Sequence, residues 1–415
     1  MSVSVLIYSL ITRAYFLGIH IAAMFSSKAQ AFVAGRKDWR KNLSAKSAEL
    51  ENCIWFHCAS AGEFEQGKPI MQAMQQRFPD RKIVVTFFSP SAFNTINTGS
   101  YPWHFFYLPL DTKKNARDFI SALNPSIALF VKYELWYHYL QALSEKKIPA
   151  YLVSAHFKTD SIFFKWYGGL HRMMLRFFSI IFVQSAGDKQ LLEKIKELRV
   201  TVAGDTRADR VIEIAQQNFE DAIIEKFIAA APHTKPNILL AGSTWLVDEK
   251  LLSALRGHPC FSSWKLIIVP HDVTEPRLAY INQLYAGAVF YTQLSEPAPL
   301  PCNVLVVDKV GLLSKLYRYA SVAYVGGAFD HGVHNVLEAA VYNCPVICGP
   351  KIMRANEALL LQQSGGLQTV SSSANLIQLI ETFNAKGTAN GNRHFVMSAA
   401  GATQRIMDII CNDKH

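Results

Sequence analysis

Residues Asn52–Pro69 read NCIWFHCASAGEFEQGKP, and the meaning of their second half decides which fold follows. Gly62–Lys68 spells G-x-x-x-x-G-K, one Ser or Thr short of a phosphate-cradling P-loop, but the next residue is Pro69. In a P-loop, backbone N–H groups wrap the phosphate and the Ser/Thr hydroxyl holds Mg²⁺. Here Glu63 and Glu65 would face the phosphates, and Pro69 supplies neither a hydroxyl nor an N–H. With Pro69 in the first turn and Ile70, Met74 and Phe78 at spacing four, an ordinary amphipathic helix is expected instead. The P-loop is excluded, and Glu63 remains as an acid placed just after a buried strand.

Further short apolar, β-branched runs recur along the chain. The first half has KIVVTFF, HFFYLPL, SIALFVKY, AYLVSA, IIFVQSA and VTVAGD; the second has NILLAGS, KLIIVPH, VLVVDK, VAYVGG and PVICGP. Runs apolar on both faces and alternating with helical stretches predict parallel sheets covered on both sides. Two such sets give an α/β protein of two doubly wound domains, with ligands in a cleft at the carboxyl ends of the strands. The expected divisions are an N-terminal segment 1–48, a first domain 49–210, a linker 211–236 containing APHTKP, a second domain 237–392 and a C-terminal helix within 393–415.

The 415 residues are 50% hydrophobic and 18% charged, which excludes a disordered chain. A net charge of +10 favours an anionic partner: nucleic acid, a phosphorylated ligand or an acidic membrane surface. Seven cysteines without a C-x-x-C pair suggest buried thiols in a reducing compartment. Residues 3–25 are nearly all apolar, yet no positive charge precedes them as it would in a signal peptide. Seven Lys/Arg against the single acid Asp38 lie between Arg13 and Lys46. A full span would set Arg13 near its middle, at ~2.5–3.5 kcal/mol. The expectation is a helix lying on the inner leaflet with the basic segment on acidic head groups, the alternative being a buried first helix. Residues 157–178, FKTDSIFFKWYGGLHRMMLRFF, add aromatics interleaved with basic side chains, as an interface with lipid or single-stranded nucleic acid would, or as a core helix with a solvated face.

The chemically pointed residues follow strands: HCASAGE, KYELW, GDTRADR, AGSTW, VPHD and DKVGLL. VAYVGGAFDHGVHNVLEAA reads as strand, glycine turn and a helix beginning near His334, whose N–H groups would meet an anion; Glu338 would bind ribose hydroxyls or only favour the helix dipole. No D-x-D occurs, His331 and His334 lack a matching ligand set, and no metal is expected. G-x-S-x-G and G-x-G-x-x-G are absent.

In this order the motifs resemble the 3-deoxy-D-manno-octulosonic acid (Kdo) transferases of lipopolysaccharide synthesis. WFHCASAGE is similar to their S-x-G-E signature; YLPLD, YELW, VQSAGD, GDTRADR, AGST, D-x-x-G-x-L from Asp308, VGG, HNVLEAA and PVICGP follow, over about residues 5–370. The resemblance implies a GT-B fold, with an acceptor-binding first domain and a CMP-Kdo-binding second domain. It implies a metal-independent, inverting transfer of Kdo from CMP-Kdo to a lipid A precursor (lipid IVA) at the cytoplasmic face of the inner membrane, without a cofactor. Glu63 aligns with the catalytic base, a fitting role for a carboxylate in a partly dry site. Glu134 and Arg207 match positions that assist the transition state, and Arg207 replaces the usual Lys. Pro270, His271, Val310, Gly311, Leu312, Asn335, Val336, Leu337 and Glu338 match the CMP-binding segments, with the helix N-terminus stabilising the departing phosphate.

The chain departs from the pattern where His271 replaces the Arg of P-R-H, Leu312 the acid of M-G-E, and Lys132 the first Glu of E-T-E. Two rivals stand beside this reading: another GT-B transferase or nucleotide-sugar epimerase, and a non-enzymatic membrane-surface or nucleic-acid-binding protein.

Overall fold

A computed structural model describes residues 3–229, 236–294, 303–388 and 391–413, so most of APHTKP in the expected linker lies outside the described residues. The chain divides into two compact domains, Met1–Arg210 together with Ala400–His415, and Val211–Ala399.

The first domain holds seven strands: β1 (Ile54–Cys58), β2 (Ile83–Phe87), β3 (His104–Tyr107), β4 (Ile127–Val131), β5 (Ala150–Ala155), β6 (Ile180–Val183) and β7 (Val200–Val202). They form one parallel sheet in the order β3-β2-β1-β4-β5-β6-β7. The five inner strands are buried along their whole length and only the edges β3 and β7 are half-exposed, as helices on both faces require. The strand order reverses between β1 and β4, which opens a crevice at their carboxyl ends.

Ser60 and Glu63 close a capping box that starts the next helix at Ala61, and it runs to Arg77. The P-loop look-alike is therefore helical throughout. Pro69 lies inside this helix, not in its first turn, because the capping box fixes the start upstream.

The N-terminal helix Val3–Ala22 buries only Val5 and Thr12, so it is not the buried first helix of the alternative reading. One face docks on the domain: the Tyr8 hydroxyl donates to Asp111 Oδ2 (2.6 Å), and Ser9 Oγ lies 2.9 Å from His138 Nε2. Away from that face, Leu6, Ile7, Leu10, Ile11, Leu17 and Ile21 are at least half exposed. The basic-aromatic stretch 157–178 is divided rather than uniformly presented. Phe157, Phe163 and Phe178 enter the core, while Trp166 (91% exposed) and Tyr167 project from a loop whose carbonyls, at Phe163 and Lys165, are held by Arg172.

The second domain holds β8 (Asn237–Thr244), β9 (Trp264–Pro270), β10 (Val289–Phe290), β11 (Val304–Val306), β12 (Val322–Val325), β13 (Val346–Cys348) and β14 (Leu367–Thr369), again all parallel. Their order is β10-β11-β9-β8-β12-β13-β14, so the reversal falls between β8 and β12. A Cβ on Gly242, near the end of β8, would stand 2.2 Å from the Tyr317 hydroxyl, so only glycine lets the two meet.

The expected single C-terminal helix is two, Asn392–Ser398 and Ala402–Asn412, broken where Gly401 takes φ +88°. The Asn392 amide donates to Cys344 O and Gly366 O in the second domain. Ile406, Met407 and Ile410 instead complete the core of the first domain beside Ile54, Phe56 and Met74.

Candidate active site

At the β1/β4 crevice, strand β1 delivers the capping turn and β4 delivers KYELW. Glu63 Oε2 accepts the N–H of Ala59 (2.5 Å) and of Ser60 (3.1 Å), which fixes the side chain, while Oε1 has no partner among the described residues. Lys132 takes φ +63°, and the loop it begins brings Glu134 back to β1. Glu134 Oε2 accepts from Trp136 Nε1 (2.9 Å) and lies 3.2 Å from His57 Nε2. His57 is fully buried mid-strand. The Thr86 hydroxyl gives its hydrogen to Phe56 O, so it accepts from His57 Nδ1 (2.9 Å) and from Trp55 Nε1 (2.9 Å). That leaves Nε2 to accept from Trp136 Nε1 (3.0 Å), the same N–H that reaches Glu134. A chain of buried polar groups thus holds Glu134 from behind.

The two carboxylates have different surroundings. Burial raises the Glu63 pKa and the charge of Glu134 raises it further; Lys132, the Ala59 N–H and His57 pull it back only in part. Glu63 therefore has a raised proton affinity and a free oxygen, whereas Glu134 is committed through Oε2. Such a pair, set apart by environment, suits proton acceptance by the first.

Arg207 opens the helix Thr206–Gln216 after β7. Its Nε and Nη2 grip Asp205 at 2.9 and 2.5 Å. Burial alone would raise the Asp205 pKa, but Arg207 and Gln66 hold it below its ordinary value. Gln66 Nε2 donates to Asp205, and Thr206 Oγ1 donates to Gln66 O. This stitches the turn to the Glu63 helix about one turn beyond Glu63. The structure thus brings Glu63 and Glu134 together and holds Arg207, paired to Asp205, on a separate helix docked at Gln66.

The β8/β12 end of the second domain has another composition. Trp245 and His271 stack with ring centroids 4.5 Å apart, His331 lies 4.1 Å from Trp245, and His271 stacks on His334 at 4.7 Å. Trp245 Nε1 can only donate and lies 3.1 Å from His334 Nε2, so that nitrogen carries a lone pair. Burial, then His271 and His331, lower the His334 pKa to about 4. Burial also lowers that of His271, against the pull of Asp272. Buried Asp248 joins the two strand ends, accepting the N–H of Trp245 and of Gly327 (2.9 Å each) and the Tyr324 hydroxyl (2.7 Å).

The expected helix at His334 begins only at Leu337 and spans four residues. Gly327 (φ +91°) and Gly332 (φ +97°) fold the loop back, so the N–H groups of His331 and Gly332 bond Gly327 O and that of His334 bonds Gly326 O. Asn335 Oδ1 then accepts the Leu337 N–H and its amide donates to Glu338. A single turn has little macrodipole, so this element is not the anion-binding helix expected. Val336 and Leu337 are buried; Asn335 and Glu338 are the partly accessible members of that run. Pro270 ends β9 and is buried, while exposed Val310, Gly311 (φ +89°) and half-buried Leu312 form a turn after neighbouring β11.

Residues 36–210 match the family described as 3-deoxy-D-manno-octulosonic-acid transferase (kdotransferase). The 3-deoxy-D-manno-octulosonic acid transferase of Aquifex aeolicus is 28% identical over 81% of this chain and 88% of its own; that of Haemophilus influenzae is 25% identical over 86% of both. The chain is thus similar to Kdo transferases over most of its length, and residues 36–210 match their family domain. These relatives indicate a glycosyltransferase. Solved structures agree on a GT-B type fold: UDP-GlcNAc 2-epimerase from Neisseria meningitidis (TM-score 0.60, 14% identity, 87% of this chain and all of that one) and a glycosyltransferase from Rickettsia africae (TM-score 0.57, 14% identity, 88% and 100%). At such identity they speak for the fold alone.

Sequence reasoning missed His57, Thr86 and Trp136 behind Glu134, and Trp245 and Asp248 behind the imidazoles. A signal was present for two of them: His57 and Thr86 are polar residues inside otherwise apolar strands.

Proposed function

We propose that this protein is a Kdo transferase that moves Kdo from CMP-Kdo to a lipid A precursor, lipid IVA, with inversion, without a metal ion or cofactor, at the cytoplasmic face of the inner membrane. The observation that carries this reading is Glu63: its carboxylate is fixed by two N–H groups, keeps Oε1 open and has a raised proton affinity. Glu63 takes the proton of the attacking sugar hydroxyl as the bond to the CMP phosphate breaks. Glu134 and Arg207 support the developing charge. Pro270, His271, the Val310–Leu312 turn, Asn335 and Glu338 hold the CMP moiety. The exposed apolar face of Val3–Ala22 lies in the membrane interface while its other face stays on the domain. Tyr8 and Ser9 tie that helix to Asp111 and His138 of the domain, which favours lying over spanning.

The test incubates the protein with CMP-Kdo and lipid IVA in EDTA and reads the lipid by mass spectrometry. A Kdo mass increment and released CMP are expected; a folded protein that yields neither overturns the reading.

A further inference from the structure

A cavity of about 120 Å³ lies where the N-terminal helix meets the first domain, with Leu6 and Leu10 on its apolar side and Arg13, Lys113 and His138 among its polar lining. It stands at the carboxyl ends of β3 and β4, and His138 is in the helix Tyr137–Glu145 that follows the Glu134 loop. Three observations converge on an anion. Arg13 and Lys113 make no ion pair among the described residues. The eleven-residue helix Lys113–Leu123, capped by Thr112, has no acid in its first turn but begins with Lys113 and Lys114, cations at the positive end of its dipole.

The third is His138, which is 4% exposed. Ser9 Oγ donates to Val5 O, so it accepts from His138 Nε2; Nδ1 is then left buried without any partner. Burial, with Lys113 and Arg13 nearby, lowers this ring's pKa to about 4, so the orphan atom is a bare lone pair. The acid in the wall, Asp111, is already committed to Tyr8, His138 N and Tyr139 N.

The geometry points to a subsite for the phosphomonoester headgroup of a membrane lipid, bound by Arg13 and Lys113 with His138 Nδ1 facing a phosphate oxygen. A monoester carries more negative charge than a diester and can share a proton with Nδ1, and the apolar side leads onto the exposed face of the membrane helix. The inference deepens the proposed function, since it rests on that helix meeting a membrane and supplies a hold on a phosphorylated lipid acceptor.

The test measures flotation of the full-length protein on phosphatidylcholine vesicles doped with phosphatidic acid, or with phosphatidylglycerol to the same zeta potential. A non-specific surface cation contributes about fivefold in affinity on either lipid. R13Q and K113Q are each expected to weaken binding more than about tenfold on phosphatidic acid and no more than the non-specific amount on phosphatidylglycerol. K37Q, removing an exposed cation outside the cavity, should lose equally on both. Equal losses on the two lipids for R13Q and K113Q, or none, overturn the subsite. Full displacement of the protein from phosphatidic acid by inorganic phosphate would assign the site to free phosphate and overturn the lipid reading. Near-UV circular dichroism checks folding, and R13Q, whose side chain is exposed, carries the test should K113Q fail to fold. Flotation needs no CMP-Kdo, so absence of sugar transfer by the wild type would sink the proposed reaction and leave this result standing.

Discussion

The two domains share an architecture but not a chemistry. Each is a seven-stranded parallel sheet whose order reverses once, at β1/β4 in the first and β8/β12 in the second. The first fills its reversal point with two carboxylates backed by His57, Thr86 and Trp136. The second fills it with three imidazoles around Trp245 and glycine turns anchored by Asp248. On the proposed reading, one sheet end accepts a proton and the other lies against an aromatic or anionic group. A shared fold thus supplies two crevices, and the side chains at strand ends assign their tasks.

The sharpest way to break this contrast is Glu63→Gln. Gln still closes the capping box, so the helix keeps its start, but the base is gone. Sugar transfer should fall by about 10²–10⁴-fold while the affinity for CMP, measured by calorimetry, stays unchanged. An equal loss of CMP affinity would mean that the two ends do not have separate tasks.

The reciprocal change is His271→Ala, expected to weaken CMP binding about tenfold with the second domain still folded. Should the affinity hold, the imidazole cluster is structural. Gly242→Ala probes the scaffold instead. The new methyl collides with the Tyr317 hydroxyl and should destabilise the second domain by about 1–3 kcal/mol in denaturant melts, sparing the first.

The smallest effects are in pH. Glu63 acts only when deprotonated, and its pKa is raised, so kcat/KM should fall on acidification at a pH above the ordinary carboxylate range. Glu134→Gln removes the like charge and should move that acid limb lower; an unmoved limb would separate the two groups. At the other sheet end the sign is opposite. His334 is held down to about 4, so its ring is neutral at pH 7 and gains charge only as pH falls. This ring should therefore add nothing to CMP affinity near neutrality and contribute charge only as pH approaches that value.

Much of this was legible from sequence because parallel strands buried on both faces leave unbroken apolar runs. Edge strands β10 and β14 escaped: two and three residues at a margin leave no such run. Glu63 was legible through its place after a strand and a family motif. The group behind Glu134 was not, because Thr86 and Trp136 come from elements far apart in sequence, and only the register of β1 with β2 and β4 joins them to His57. The anion-binding helix was misjudged because glycines that permit a helix entry also permit a loop that folds back and uses its own N–H groups.

The return of Ala402–Asn412 to the first domain has a consequence for biogenesis. Residues Met1–Arg210 leave the ribosome first, yet Ile406, Met407 and Ile410 belong to their core. At about 5–20 residues per second, the whole second domain takes roughly ten to forty seconds to translate. During that interval the nascent first domain exposes the apolar surface its final helix will cover. A stop codon just before Ala402 would leave that surface permanently uncovered.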